Sequence, residues 1–406
     1  MINKKFLILL ILFLIPIVEI FYPFIIGQVV IINEFLDIPL STIDNQSYVV
    51  IESSPSSLHL GYKTLIGYFF HHHMNFLLPA SELFENFNTS THQYGILTSF
   101  IIGGLSKIFY TNISLNSYFS ILYSMYIIFY TSLFIFIWKT INNKILILPF
   151  ALLLYLFIYI VGFESYYMTP TLNPIRQILF PIIFLISYKY FKDFETKKLY
   201  YILTLLFISF FINSQFTILL IISLIITKIS LAYIDNLSRQ QKKNLKITLI
   251  FFFMLIIFNL SFSFNSSIIF SEYFLILGPE LEINSYILVL IFICVLPSIC
   301  IRAYGTPSFN FLIFISCYFG LSLVYYIWNP SMNHFSPIAW TWAIAIIIFC
   351  DTYFKDKIKP NYQPLIFLLI AFTLTCYEAR VNFFITKDSY YNRILDISSI
   401  HKWNTK

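Results

Sequence analysis

The chain has 406 residues and a formal net charge of +6, yet only 11% of its residues are charged and 59% are apolar. A soluble domain carries about 25% charged residues, so this composition excludes an ordinary water-soluble globule. The basic excess lies in short loops and forms no stripe interleaved with exposed aromatic residues, so we expect no nucleic-acid partner.

Apolar runs long enough to form helices recur from end to end. They predict an all-α polytopic membrane protein with about eleven transmembrane helices in a single domain, 1–406. The first run starts after Lys4 and Lys5 and has no small-residue cleavage site, so we expect a retained helix instead of a signal peptide. In chain order, the segments are 6–32, 115–138, 145–161, 177–191, 199–213, 216–234, 247–264, 286–301, 309–328, 337–354 and 363–378.

A twelfth segment, 94–110, decides the sidedness. If it does not cross the bilayer and the N-terminus is cytoplasmic, most of the 25 basic residues fall on the cytoplasmic side. This is the distribution that the positive-inside rule describes. If it crosses, every later loop inverts and the bias is lost. We therefore expect a juxtamembrane or re-entrant helix over 94–110.

This topology places the longer polar segments outside the membrane. The first loop (33–114), three later loops (162–176, 265–285 and 329–336) and the C-terminal tail (379–406) would then be extracytoplasmic, with all 7 histidines. The cytoplasmic loops are short and basic, and they contain no glycine-rich phosphate-binding loop with a lysine. A reaction driven by a cytoplasmic nucleotide is therefore not expected.

Two carboxylates follow directly after the first helix. Glu34 and Asp37 would lie at the outer membrane surface, where a carboxylate can take a proton from an acceptor hydroxyl or hold a divalent cation against a phosphate. They are the catalytic candidates, and Mg²⁺ or Mn²⁺ is the cofactor that such a site would take. The simpler alternative is that both are solvated loop residues.

The middle of the first loop contains a histidine patch. Three adjacent histidines, His71 to His73, cannot share one face of a helix or strand, so they do not form one metal site. A solvated polar patch and a substrate-binding edge both remain open. His72 and His73 are the binding candidates here, followed in the same loop by Glu82, Gln93 and Tyr94.

Two later outer segments carry further candidates. Arg176 ends the loop 162–176 and is the only basic residue in the outer loops between Lys107 and the C-terminal tail. This position favours an anionic partner: a lipid-linked phosphate or the carboxylate of Glu164. Asn333 and His334 lie in the loop 329–336, where they would contact a phosphate or hydroxyl or cap a helix. The aromatic residues around that loop, including Trp340 and Trp342, would form an interfacial belt or stack on a sugar ring.

The first loop resembles that of the GT-C superfamily of polytopic glycosyltransferases. The resemblance lies in the histidine patch, Pro79-Ala80-x-Glu82, and Gln93-Tyr94-Gly95 heading a half-buried helix. It implies a lipid-phosphate sugar donor, an outward-facing active site and a carboxylate base in the first loop. The chain departs from the family pattern because no Asp-Glu or Asp-x-Asp pair follows the first helix.

These features predict a GT-C-like integral membrane glycosyltransferase in a bacterial cytoplasmic membrane. It would move a hexosyl or pentosyl group from a polyprenyl-phosphate carrier to an extracytoplasmic glycan, lipid or protein acceptor. The bacterial source is inferred from the excess of Ile, Phe, Asn and Lys. A surface-polysaccharide polymerase or ligase, and a lipid-linked-sugar transporter or flippase without transferase activity, are the alternatives. The first usually carries its largest loop late in the chain, and the second usually carries an internal repeat.

Overall fold

A computed structural model describes residues 4–23, 76–85, 95–160, 175–234, 238–261, 294–328 and 332–369 except 356 and 358. These residues form helices and turns, with no strand among them, and the prediction of an all-α chain is confirmed. We number the helices α1 to α13. Their bounds are α1 Lys4–Pro23, α2 76–85, α3 Ile96–Tyr110, α4 Leu115–Thr140, α5 Ile147–Ile160, α6 Phe180–Asp193, α7 Thr196–Ile212, α8 Ser214–Ile234, α9 Arg239–Ser261, α10 Cys294–Ala303, α11 Phe309–Trp328, α12 Met332–Tyr353 and α13 363–369.

Each apolar segment predicted from the sequence overlaps one of these helices. The helix starts differ most where polar residues extend an apolar run: α9 begins at Arg239, well before the apolar run over 247–264. Similarly, α12 begins at Met332, so Asn333 and His334 belong to its first turn. The prediction that they lie in a loop over 329–336 is wrong, because polar residues are well tolerated in the first turn of a helix.

Two of the described helical segments are long and apolar enough to cross a bilayer. They are Ser120–Thr140, with a mean hydropathy of 1.9, and Ser214–Ile234, with a mean hydropathy of 2.2. Each has 56% of its hydrophobic window buried inside the protein, so both pack against other helices as well as presenting an outer face. Two such helices weakly favour a membrane protein, and the number eleven remains a prediction.

Local signals explain where the longest helix starts. Ser114 precedes α4, and its Oγ accepts a hydrogen bond from the backbone N–H of Ser117 at 3.3 Å. In return the Oγ of Ser117 accepts from the backbone N–H of Ser114 at 3.0 Å. This reciprocal pair satisfies two backbone donors that the first turn of a helix leaves without partners.

Helix ends that carry basic residues meet at one end of the bundle. Phe6 of α1 packs edge-on against Trp138 near the C-terminus of α4, with ring centroids 5.1 Å apart. The hydroxyl of Tyr188 in α6 donates to the carbonyl of Thr140, the last residue of α4, at 3.3 Å. We call this the basic end. Its cations include Lys4, Lys139, Lys144, Lys189, Lys192, Lys197, Lys198, Arg239, Lys242, Lys243, Lys246, Arg302, Lys355, Lys357 and Lys359.

A buried carboxylate joins two helix ends within the basic end. Asp351, near the C-terminus of α12, is only 2% exposed. One of its oxygens accepts from the backbone N–H of Asn142 at 2.8 Å and the other from that of Asn143 at 2.7 Å. The side-chain amide of Asn142 adds a third bond at 2.9 Å. Asp351 therefore clamps the turn between α4 and α5 onto α12.

A second polar cluster joins three helices near the same end. Lys228 of α8 is 3% exposed, and its ammonium donates to the carbonyl of Asn244 at 3.2 Å and to the hydroxyl of Thr248 at 2.5 Å, both in α9. It also lies over the ring of Tyr190 in α6, 5.2 Å from the centroid. This buried cation is stabilised by neutral oxygens and an aromatic face.

Helix α3 begins and ends at the end of the bundle opposite the basic end. Gly95, just before α3, lies against the carbonyls of Phe211 and Ile212 at the C-terminus of α7. The end of α3 leads through Ser114 into the N-terminus of α4, and α3 packs against both α4 and α7. Since α4 ends and α7 begins at the basic end, α3 does not run from one end of the bundle to the other.

Candidate functional site

Most of the residues predicted to form the site lie outside the described part of the chain. This holds for Glu34, Asp37, His72, His73, Gln93 and Tyr94, and for the loop that contains Glu164. For Asn333 and His334 only the helical backbone is described. Glu82 and Arg176 are the two predicted site residues whose side chains the structure places.

Arg176 lies in a short 3-10 turn, Ile175–Gln177, that precedes α6 and packs against α4 and α7. The sequence predicts it at the edge of an exposed loop, but the residue is only 6% exposed. A helical rise of about 1.5 Å per residue places it roughly 25 Å from Asp193 at the basic end. Arg176 therefore lies far from the cations of the basic end, near the opposite limit of a hydrocarbon layer about 30 Å thick.

A buried arginine is costly unless its charge is compensated. Removing a charged group from water carries a penalty of several kcal/mol, which hydrogen bonds and an opposite charge must offset. A planar guanidinium is also the side chain best matched to two oxygens of a phosphate or carboxylate. The position of Arg176 therefore suits recognition of an anion at the end of the bundle opposite the basic loops.

Gln177 is a site residue that the sequence analysis did not single out. It is fully buried, and its Oε1 accepts a hydrogen bond from the indole N–H of Trp340 in α12 at 2.7 Å. Its Nε2, which carries two N–H donors, has no hydrogen-bond partner among the residues that the structure describes. Most buried polar atoms have a partner. A buried amide donor directly after a buried arginine therefore points to an acceptor group at this place.

Trp340 fixes the orientation of this amide. Its ring packs edge-on against Phe129 of α4 at 5.3 Å and lies 5.4 Å from Phe184 of α6. Trp340 is 3% exposed and Trp342 is 0% exposed. The prediction that these two tryptophans belong to an interfacial belt is wrong, because a belt residue must reach the lipid headgroups. The buried indole N–H of Trp340 is satisfied by its hydrogen bond to Gln177 instead.

Glu82 lies on α2, which packs beside α3. Phe84 of α2 fills the space over Gly103, where an added Cβ would come within 2.7 Å of the ring. Glu85 accepts from the hydroxyl of Ser81 at 2.7 Å and lies 3.8 Å from the ammonium of Lys107 in α3. Glu82 itself is half-buried. The α2–α3 pair is therefore a packed unit at the same end of the bundle as Arg176.

Gly95 explains part of the predicted Gln93-Tyr94-Gly95 motif. Its φ of +100° is a conformation that residues with a side chain rarely adopt, and the neighbouring carbonyls of α7 leave no room for a Cβ. Glycine is therefore required by conformation and by close approach. Gly95 thus holds the start of α3 against the C-terminal end of α7, and α7 also contacts the turn that holds Arg176.

The described residues do not assemble a metal site. Within the part of the chain that the structure places, no group of three or more His, Cys, Asp or Glu side chains comes together. The predicted cation ligands Glu34 and Asp37 lie outside that part, so the fit of Mg²⁺ or Mn²⁺ rests on the sequence alone. What the described site offers is a cation and hydrogen-bond donors, which are the groups that bind an oxyanion.

The chain matches no protein family, no curated protein and no solved structure.

Proposed function

We propose that the chain is an integral membrane glycosyltransferase of the GT-C type, with its active face at the end of the bundle opposite the basic end. By the positive-inside rule, the basic end faces the cytoplasm. The proposed substrate is a sugar carried on a polyprenyl phosphate, and the acceptor is an extracytoplasmic glycan, lipid or protein. The observation that carries this proposal is the buried pair Arg176 and Gln177, about one bilayer thickness from the basic end.

The proposed reaction is a direct group transfer. The acceptor hydroxyl attacks the anomeric carbon of the sugar, the bond from that carbon to the phosphate oxygen breaks, and the carrier phosphate leaves with the bonding electrons. The hydroxyl proton passes to the carboxylate of Asp37 or Glu34 as general base. In this scheme His72, His73, Glu82, Gln93, Tyr94, Asn333 and His334 bind the sugar or the acceptor.

Arg176 and Gln177 would act on the leaving group. Negative charge grows on the phosphate as the bond to the sugar breaks, and fixed donors in a water-poor site stabilise such charge strongly. The guanidinium would contact two phosphate oxygens, and the Nε2 of Gln177 would donate to one of them. Trp340 would act as a positioning residue, because its hydrogen bond to Oε1 fixes which end of the amide faces the ligand.

Binding of a polyprenyl phosphate to the purified full-length chain tests this site. We expect Arg176→Gln to weaken binding at least about tenfold, and Arg176→Lys to restore only part of it, because lysine lacks the two-pronged geometry of arginine. Lys228→Met is the matched control, since Lys228 is also a buried cation but is bonded to α9 at the other end. Equal binding by wild type and Arg176→Gln, both folded, would remove the phosphate role of Arg176.

Transfer itself needs a second measurement. We expect the chain in proteoliposomes to release radiolabelled hexose or pentose from its polyprenyl phosphate in the presence of membrane acceptors, and Asp37→Asn to retain carrier binding while losing transfer. Carrier binding with movement of the lipid-linked sugar across the bilayer, but no transfer, would instead support a lipid-linked-sugar transporter.

Orientation is tested separately in intact cells. We expect a membrane-impermeant thiol reagent to label Asn112→Cys, which is exposed between α3 and α4, and not Lys243→Cys, which is exposed at the basic end. Labelling of Lys243→Cys from outside would place the basic end on the exterior. The proposed extracytoplasmic active face would then be wrong.

A further inference from the structure

One face of α9 changes from cationic to apolar along its length. Arg239, Lys242, Lys243 and Lys246 are all exposed, and their spacing of three and four residues puts them on one side of the helix. The same face continues with Ile250, Phe253, Met254 and Ile257, which are 51%, 58%, 63% and 62% exposed. Helices α7 and α8 pack on the other faces of α9. We call this outer face the α9 stripe.

The cationic half of the α9 stripe is unfavourable for the helix that carries it. Cations near a helix N-terminus oppose the positive end of the helix dipole. Like charges three and four residues apart on a helix also repel one another. The first turn of α9 contains no acidic residue that would offset either effect. An arrangement that destabilises the free helix in two ways is explained if an anion binds there.

The neighbouring acidic side chains that the structure describes do not supply that anion. Asp193 and Glu195, in the turn between α6 and α7, both pair with Lys198. The hydrogen bond to Asp193 raises the pKa of Lys198 above its ordinary value, so this group stays charged and holds both carboxylates. Among the residues that the structure describes, none of the four cations of the α9 stripe is in an ion pair.

We propose that the α9 stripe binds an anionic phospholipid of the leaflet at the basic end. The headgroup phosphate would lie among Arg239, Lys242, Lys243 and Lys246, and an acyl chain would lie along Ile250 to Ile257. A rise of about 1.5 Å per residue separates Lys246 from Ile257 by roughly 16 Å, close to half of a hydrocarbon layer about 30 Å thick. Clusters of four or more cations beside a membrane helix favour anionic lipids in general.

The apolar half distinguishes a lipid from a soluble anion. A free phosphate would use the four cations but would leave the apolar side chains uncovered. A phospholipid covers both halves with one molecule. This inference requires that the chain lies in a bilayer, but it does not depend on the transferase activity or on the site at Arg176.

Lipid retention by the purified full-length chain tests the proposal. Native mass spectrometry would count phosphatidylglycerol bound in a neutral detergent, with phosphatidylcholine of the same acyl chains as comparison. The stripe variant replaces Arg239, Lys242, Lys243 and Lys246 by Gln. The control variant replaces four other exposed lysines by Gln and so changes the net charge equally: Lys139, Lys189, Lys197 and Lys359.

Each cation near an anionic lipid strengthens binding by roughly a fivefold factor. Even if only two of the four cations contact the headgroup, the stripe variant should bind phosphatidylglycerol at least about thirtyfold more weakly than wild type. The control variant should retain wild-type affinity. An equal loss of phosphatidylglycerol affinity in both variants would show that only the overall charge matters, and the proposed site would be wrong. Displacement of the lipid by inorganic phosphate alone would overturn the choice of a phospholipid.

Thermal unfolding gives an independent readout with a change of sign. Without anionic lipid, the stripe variant should unfold at the same temperature as wild type or at a higher one, because the neutral glutamines do not repel one another as the four cations do. With phosphatidylglycerol added, wild type should become the more stable of the two. If the fourfold variant fails to fold, the double variant Lys242→Gln, Lys246→Gln should show the same reversal of relative stability when phosphatidylglycerol is added. A constant difference with and without lipid would contradict the proposal.

Discussion

The buried carboxylate of Asp351 and the buried amide of Gln177 lie at opposite ends of the bundle, and they differ in how they are satisfied. Asp351 accepts hydrogen bonds from two backbone N–H groups and one side-chain amide. Gln177 uses its oxygen to accept from Trp340, whereas its nitrogen has no partner among the described residues. Asp351 is therefore a polar group whose hydrogen bonds stabilise the fold, whereas Gln177 keeps a donor for the ligand that we propose.

The two buried cations also lie in different surroundings. Lys228 is bonded to two oxygens of the neighbouring helix α9, so its role at the basic end is explained by the packing of α6, α8 and α9. Arg176 directly precedes Gln177, whose amide nitrogen is a second buried donor group. A cation beside further donors is arranged for an acceptor that carries negative charge.

Removing the carboxylate at the basic end should have the largest effect on stability. Asp351→Ala should lower the free energy of unfolding by at least about 3 kcal/mol, because it leaves buried backbone donors without an acceptor. Chemical denaturation in detergent would measure this. Thr352→Ala is the neighbouring control, since its hydroxyl donates only within its own helix, and it should cost less than about 1 kcal/mol. Similar losses in both variants would show that Asp351 is not a clamp.

Adding a side chain at Gly95 should disrupt the packing of α3 on α7. Gly95→Ala combines a positive φ with a collision against two carbonyls, and we expect a loss of about 2 kcal/mol or more in the free energy of unfolding. Gly305→Ala is the control, because Gly305 also has a positive φ but has no neighbouring atom within 4 Å of an added Cβ. It should cost only about 1 kcal/mol. Equal costs would mean that α3 does not lie closely on α7.

The hydrogen bond between Trp340 and Gln177 should contribute less to stability than to ligand binding. Trp340→Phe should lower the free energy of unfolding by about 1 kcal/mol through the lost bond. In a Gln177→Leu background this bond is already absent, so the same substitution should cost less, and the double-mutant cycle isolates the pair. Binding of polyprenyl phosphate should fall in both single variants. Unchanged binding in both would leave the pair with a structural role only.

A glycine between the two ends should give the smallest change, and in the opposite direction. Gly320 lies inside α11, and an added Cβ there meets no atom within 4 Å. Gly320→Ala should therefore raise the free energy of unfolding by about 0.5 to 1 kcal/mol, because alanine loses less backbone entropy in a helix. The unfolding midpoint would show whether the bundle accepts this change. A loss of stability would indicate close packing against α11.

The sequence predicted the helices well because apolar runs and polar interruptions are local signals. The start of α4 at Leu115 and the whole of α11 agree with the predicted segments. The prediction of a loop around Asn333 was wrong, since the hydropathy of a polar first turn resembles that of a loop. Burial of Trp340 was also missed, because hydropathy does not distinguish an indole at a lipid interface from one bonded inside a bundle.

The candidate site was predicted only in part. The sequence identified Arg176, because it is the only basic residue in the predicted outer loops between Lys107 and the C-terminal tail. It did not identify Gln177, since a neutral amide beside an apolar helix carries no distinctive pattern. The sequence analysis assigned the four cations of the α9 stripe to a loop. Only the exposure of each side chain in the structure showed that they share a helix face with exposed apolar residues.

By itself, the sequence determined that the chain is helical, where most helices lie and which loops carry the cations, because these properties depend on residues close together along the chain. Only the tertiary structure decided that Asp351 meets the turn after α4 and that Gln177 meets Trp340. Those partners are 208 and 163 residues apart in the sequence. Contacts across such distances are set by how whole helices pack, which no local pattern encodes.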